Sequence, residues 1–135
     1  MPAPSGKDEA MLKLTMCATR LPNLTREQFD AHWRERHGPL VRERQEVLGI
    51  RRYVQTAPLD NPEAQATLRA RRGALPVDFD GCGELWWDSL DDLLAVRKTA
   101  EGERALRELL EDEKRFVDLS RSQLWYGTER VIIPG

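Results

Sequence analysis

The stretch "HWRERHGPLV", residues 32–41, holds both histidines of the chain, and an imidazole is the side chain that takes and gives a proton near neutral pH. His37 follows Phe29 and Trp33 at helical spacing, and Leu40 and Val41 continue the stripe, so His37 shares the face expected to point inward. His32 sits one position before Trp33 and diverges from that stripe. Pro39 cannot donate to the carbonyl of Glu35 and disfavours a helical Gly38, so the helix is expected to kink or restart with Pro39 in a first turn. Backbone groups freed beside His37 can hold its ring in one tautomer. Spacing alone favours the plainer reading, a hydrogen-bonded packing histidine beside a kink.

Tyr53 is a second candidate: its phenol can hydrogen-bond a substrate oxygen or donate to a developing enolate, although a strand tyrosine commonly serves as an amphipathic core residue. Asp112 and Phe116 share a helix face at i and i+4, and a carboxylate there can orient His37 or activate a water. For the neighbouring Glu113 and Asp118 a solvated or arginine-paired helix end is the favoured reading. Cys17 has no sequence neighbour that would lower its pKa and is not nominated as a nucleophile. Glycine-rich phosphate loops, GxSxG elbows and HExxH pairs are missing, and with only Cys17 and Cys82 there is no ligand set for a structural metal.

Several elements must position these residues. "MLKLTMCATR" alternates Leu12, Leu14, Met16 and Ala18 against Lys13, Thr15, Cys17 and Thr19, the period of a half-buried strand. Thr25 and Gln28 form a capping box that opens a helix running toward Val47 and Leu48, closed by Gly49. "IRRYVQTA" is a second strand. Residues 57–81, punctuated by Pro58, Pro62, Gly73, Pro76 and Gly81, form an excursion with a short helix over "PEAQATLRARR". A third strand, Cys82 to Asp88, with Asp80–Gly81 as its entry turn, precedes a helix capped by Ser89. The helical pattern breaks at Gly102, resumes through "ERALRELLEDEKRF", and gives way to a last strand in "QLWYGTERVII".

The order β-α-β, excursion, β-α-α-β describes an α+β, ferredoxin-like antiparallel sheet with helices on one face. The chain of 135 residues suits one domain at 11–135, preceded by a flexible tail over 1–10. On the sheet, Leu12, Leu14, Met16, Val54, Leu85 and Trp87 are expected beneath the helices. Lys13, Thr15, Cys17, Arg51, Tyr53, Gln55, Glu84 and Trp86 are then expected on the other face. Two copies stacked through that face would enclose a chamber, so the expected partner is a second copy in a C2 homodimer. Thr15, Cys17, Arg51, Gln55, Glu84, Trp86 and Phe116 are the expected substrate contacts, an aromatic wall suiting flat, partly apolar ligands. Trp33, Trp87 and Trp125 are assigned to core packing, and Arg69, Arg71 and Arg72 to a solvated helix face.

A net charge of −2 with arginines interleaved among acids argues against a nucleic-acid partner. The first ten residues lack an apolar signal core, and no run approaches the roughly 20 apolar residues of a membrane span, so a cytoplasmic protein without a membrane partner is expected.

"LTREQFDAHWRERHGPLV" resembles the signature of the EthD family, in which a Phe, a Trp and a His precede a small residue, Pro and Leu. "GIRRYVQ", "DFDGCGELWWDSLDDL" and "EDEKRFVDLSRS" resemble further family segments in the same order, over residues 11–133. The resemblance implies a dimeric α/β-barrel fold. It also implies a cofactor-independent enzyme acting on an aromatic or polyketide-like small molecule as a dehydratase, cyclase, decarboxylase or isomerase. His37, matching the family histidine, gains weight as the acid/base. Related barrels include cofactor-free monooxygenases and haem enzymes, so an oxidoreductase and a non-catalytic ligand-binding protein are the alternatives. A haem would have to take His37 or a non-histidine axial ligand. The long 57–81 segment departs from the family pattern.

Overall fold

The computed structural model describes residues 11–135; the expected N-terminal tail, residues 1–10, lies outside them. Strand β1 (Leu12–Ala18) leads to helix α1 (Arg26–His32), which passes through a π turn (Trp33–His37) into α2 (Gly38–Glu43) and a short α3 (Gln45–Leu48). Strand β2 (Arg52–Thr56), helix α4 (Pro62–Arg72) and strand β3 (Gly81–Trp87) follow. The chain continues through α5 (Leu90–Arg97), α6 (Ala100–Glu113), a 3-10 turn (Leu119–Arg121) and β4 (Gln123–Thr128). The four strands pair antiparallel in the order β2-β3-β1-β4, the ferredoxin-like arrangement expected.

Local chemistry sets most boundaries. Thr25 and Gln28 complete the capping box of α1, and Gly49, with φ of 70°, closes α3 in the left-handed conformation that a Cβ disfavours. Asn61 caps α4, which spans the "PEAQATLRARR" segment and buries none of its residues. Ser89 caps α5 as expected. The break before α6 falls one turn earlier than the sequence suggests: Thr99 caps α6 through Gly102 N–H, and Gly102 lies within its first turn.

The helices cover one sheet face with two apolar clusters. Leu12, Val41, Leu48, Ile50, Trp87, Leu93, Ala105 and Leu109 fill one end, with Leu14, Tyr53 and Leu85 packed against them. Trp87 Nε1–H donates to the Leu48 carbonyl at 2.7 Å, so its polar atom is satisfied inside the core. Ala18, Phe29, Trp33, Phe116 and Val117 fill the other end, with Met16 beside them. There the Trp33 ring packs against the start of β3, where a Cβ at Gly81 would overlap it.

β1 and β3 present the faces expected of them, but β2 is reversed. Residues directly opposite in a ladder share a face, and Tyr53 pairs with Leu85 while Gln55 pairs with Gly83. Tyr53 and Gln55 therefore lie under the helices, and Arg52, Val54 and Thr56 join Lys13, Thr15, Cys17, Cys82, Glu84 and Trp86 on the open face. Arg51 precedes the strand, is exposed, and pairs with Asp88. Trp125 pairs with Thr15 on the open face and is 54% exposed, so it is not a core residue of the single chain.

Candidate functional site

His37 and Asp112 meet inside the helical layer. His37 Nδ1 lies 2.8 Å from Asp112 Oδ2, both residues are buried, and α6 supplies the carboxylate to the π turn from across the helix pair. Since an ionised carboxylate only accepts, the bond fixes the tautomer with the proton on Nδ1 and leaves Nε2 as the basic nitrogen. Among the described residues Nε2 makes no hydrogen bond.

His32 reaches the same carboxylate, with Nε2 3.1 Å from Oδ1, although the sequence places it off the inward stripe. The π turn explains the difference. In an α-helix, positions five apart diverge by about 140°, whereas one π turn brings them onto one side. Gly38 N–H donates to the Trp33 carbonyl across that wider turn, and Pro39 enters α2 in its first turn as expected. Phe116 is wedged between the imidazoles, stacked on His32 at 4.6 Å and tilted against His37 at 5.2 Å. Arg115 adds a 3.2 Å contact to Asp112 from an exposed position.

This arrangement sets the charges. Burial lowers the His37 pKa below its ordinary value of 6.5, and Asp112 offsets only part of that, so the ring is a neutral base at physiological pH. At Asp112 burial opposes ionisation, but the hydrogen bonds from His37 and His32 outweigh it together and hold the carboxyl below its ordinary value. Glu113 behaves oppositely: burial, reinforced by the charge on Asp112, raises it to about 7. Helix-end position suggested a solvated residue, but Glu113 is half-buried and lies close enough to Tyr53 to raise the phenol further.

A cleft of about 500 Å³ opens between the π turn and the edge strand β2, lined by Arg34, Gly38, Pro39, Arg42, Tyr53 and Gln55 among others. Gln55 Nε2 donates at 2.9 Å both to the Trp33 carbonyl and to the Tyr53 hydroxyl. This tie fixes the phenol beside the π turn. Burial raises the Tyr53 pKa, so the hydroxyl keeps its proton for donation.

The expected site residues thus divide into two groups. His37, Tyr53, Asp112, Gln55 and Phe116 gather on the helical side of the sheet, while Thr15, Cys17, Glu84 and Trp86 lie on the open side. A chamber between stacked sheets cannot hold both groups, and the sheet itself separates them. On the open face Lys13 pairs with Glu84, and Lys13 and Arg52 lie 5.3 and 4.9 Å from the Trp86 ring. Thr15 Oγ1 is buried there without a hydrogen-bond partner among the described residues. Asp80, expected as turn chemistry, is instead a buried ion-pair centre for Arg20 and Arg26 that also accepts the Arg20 backbone N–H. No cluster of three potential metal ligands occurs among the described residues, and none of their helices is long and apolar enough to cross a membrane.

The EthD domain model matches residues 21–120, and the chain belongs to that family. It is similar to decarboxylase AgnL1 of Paecilomyces divaricatus, with 22% identity over 127 residues, covering 93% of this chain and 83% of that protein. Its fold is similar to an EthD family protein from Bacillus halodurans, with a TM-score of 0.59 and 22% identity over 89% of this chain and 99% of the other. A dimeric, ferredoxin-like protein of unknown function from Bacteroides fragilis aligns with a TM-score of 0.54 and 10% identity, covering 88% and 96%.

Proposed function

We propose that this chain is a cofactor-independent enzyme that performs acid/base chemistry, of the decarboxylase, dehydratase, cyclase or isomerase kind, on an aromatic or polyketide-like molecule. The observation that carries the reading is the buried carboxylate of Asp112 shared by His37 Nδ1 and His32 Nε2. An imidazole oriented through Nδ1 and kept neutral by burial is a general base at Nε2. The substrate occupies the cleft lined by Gly38, Tyr53 and Gln55. His37, the neighbour of Gly38, and Glu113, whose charge acts on the Tyr53 phenol, stand beside that lining and not in it. Tyr53 donates to the oxygen on which charge develops, and Glu113 returns a proton. The named activity of decarboxylase AgnL1 is consistent with this class.

A second copy covers the open face around Trp125 and Thr15, away from the excursion. Trp125 is largely exposed on it, Thr15 Oγ1 has no partner among the described residues, and a ferredoxin-like neighbour is described as dimeric. In this reading the dimer supports the fold, and each protomer carries its own acid/base cleft.

The test is turnover of a panel of polycyclic phenolic acids, β-hydroxy ketones and lactones, followed by mass spectrometry, with wild type and His37→Asn. Conversion by wild type with loss in the variant supports the reading. Undiminished conversion by His37→Asn would overturn the assignment of the base, and recovery of every bound compound unchanged would favour a carrier.

A further inference from the structure

Cys17 and Cys82 are direct partners across the two central strands, β1 and β3, and both point to the open face. Neither is disulfide-bonded and both are partly accessible. Opposite residues of an antiparallel pair have Cα atoms about 4.5 or 5.5 Å apart, within the range of about 4.4 to 6.8 Å that a disulfide spans. The thiols also share a pocket of about 210 Å³ whose other walls include Pro58, Gln65, Val77 and Phe79 of the excursion. The 57–81 segment, unexplained by the acid/base cleft, therefore builds a second compartment on the opposite side of the sheet.

We propose that Cys17 and Cys82 form a redox-sensitive dithiol that closes into an intramolecular cross-strand disulfide when exposed to a disulfide oxidant such as oxidised glutathione. The balance is complete. One cysteine thiolate attacks the glutathione disulfide and releases one glutathione; the second attacks the resulting mixed disulfide and releases the other. The two cysteines are oxidised by two electrons, two glutathione thiols are formed, and the cysteine protons end on those thiols or in water. The second step is intramolecular and needs no strand to move past another, because the pair is already in register. The bridge would lie on a partly accessible surface, and exposed disulfides are the readily reduced ones, which suits a reversible state. Burial, and then the proximity of Cys17, raises the Cys82 thiol, so closure accelerates as pH rises.

The experiment treats the reduced full chain with oxidised glutathione across pH 7 to 9, followed by quenching, denaturation, thiol titration and intact mass. The expected result is loss of both titratable thiols, a mass lower by two hydrogens, a monomeric band on a non-reducing gel, and full reversal by dithiothreitol. In Cys17→Ser or Cys82→Ser the remaining cysteine should stop at a stable glutathione adduct. Two free thiols, adducts persisting on both cysteines of wild type, or a bridge between chains would each overturn the proposal. None of these readouts depends on catalysis at His37.

Discussion

His32 and His37 hydrogen-bond one carboxylate, that of Asp112, from positions five residues apart, and only the π turn between them makes this geometry available. The wide turn spends one residue more per revolution than an α-helix, and Pro39 has no N–H to restore the regular pattern. What the sequence presents as a helix defect is thus the device that aims two rings at one acceptor.

Asp112→Asn should separate orientation from packing. The amide can donate as well as accept, so it no longer enforces the Nδ1–H tautomer of His37. Turnover should fall by about 100-fold or more, as when the partner of a catalytic imidazole is neutralised. The stability cost should be about 1 to 3 kcal/mol, since the side chain keeps its volume. Denaturant unfolding beside steady-state kinetics checks both; an unchanged kcat would reduce Asp112 to a packing acceptor.

The pH profile follows from the two shifted groups. His37 has its pKa lowered below 6.5, so the base becomes available as pH rises through a value below 6.5. Glu113, at about 7, loses the proton it would donate as pH rises through neutrality. The rate should therefore be bell-shaped with a narrow top, and Glu113→Gln should remove the alkaline limb. A profile whose alkaline limb is untouched by that substitution would exclude Glu113 as the acid.

Stability should respond to Glu113 with a definite sign. Its folded pKa lies above the unfolded value of 4.5, so the folded state binds more protons between those values and loses relative stability as pH rises from about 4.5 to 7. Asp112 and His37, lowered on folding, act in the other direction: they add stability with rising pH, Asp112 in the acid range and His37 up to its unfolded value of 6.5. Glu113→Gln should leave Tm nearly unchanged at pH 4.5 and raise it at pH 8, by an amount equivalent to about 1 to 3 kcal/mol. Equal Tm shifts at both pH values would show that the carboxyl titrates normally.

The architecture was readable because its signals are local and redundant. Alternation in β1 put Leu12, Leu14 and Met16 on one side with no competing set, and Thr25 and Ser89 stand where caps are needed. β2 was not readable in the same way. Arg51, Tyr53 and Gln55 differ little in polarity from Arg52, Val54 and Thr56, and the choice between them is made by the pairing of Tyr53 with Leu85, a contact with no local signature. His32 was missed because helical spacing assumes 3.6 residues per turn, and the Gly-Pro pair reveals that regularity fails without showing that the failure is a π turn. Glu113 resembled a solvated charge because burial at a helix end depends on the sheet beneath it.

The last prediction concerns the close approach that seats this helix on the sheet. Gly81 opens β3 directly under Trp33, the residue that begins the π turn, and the ring occupies the space a Cβ would need. Gly81→Ala must push the indole away. Trp33 is packed against Phe29, its carbonyl holds Gln55, and Gln55 holds the Tyr53 hydroxyl, so displacement at Gly81 propagates to the cleft. The substitution should cost about 1 to 3 kcal/mol, as overpacking of a filled core does, and should also lower kcat. Gln55→Leu should reproduce the kinetic part without the overpacking, because it removes the tie and leaves Gly81 free. If Gly81→Ala destabilises the chain but leaves kcat intact, the π turn is held by the α6 contacts alone, and the sheet plays no part in positioning His37.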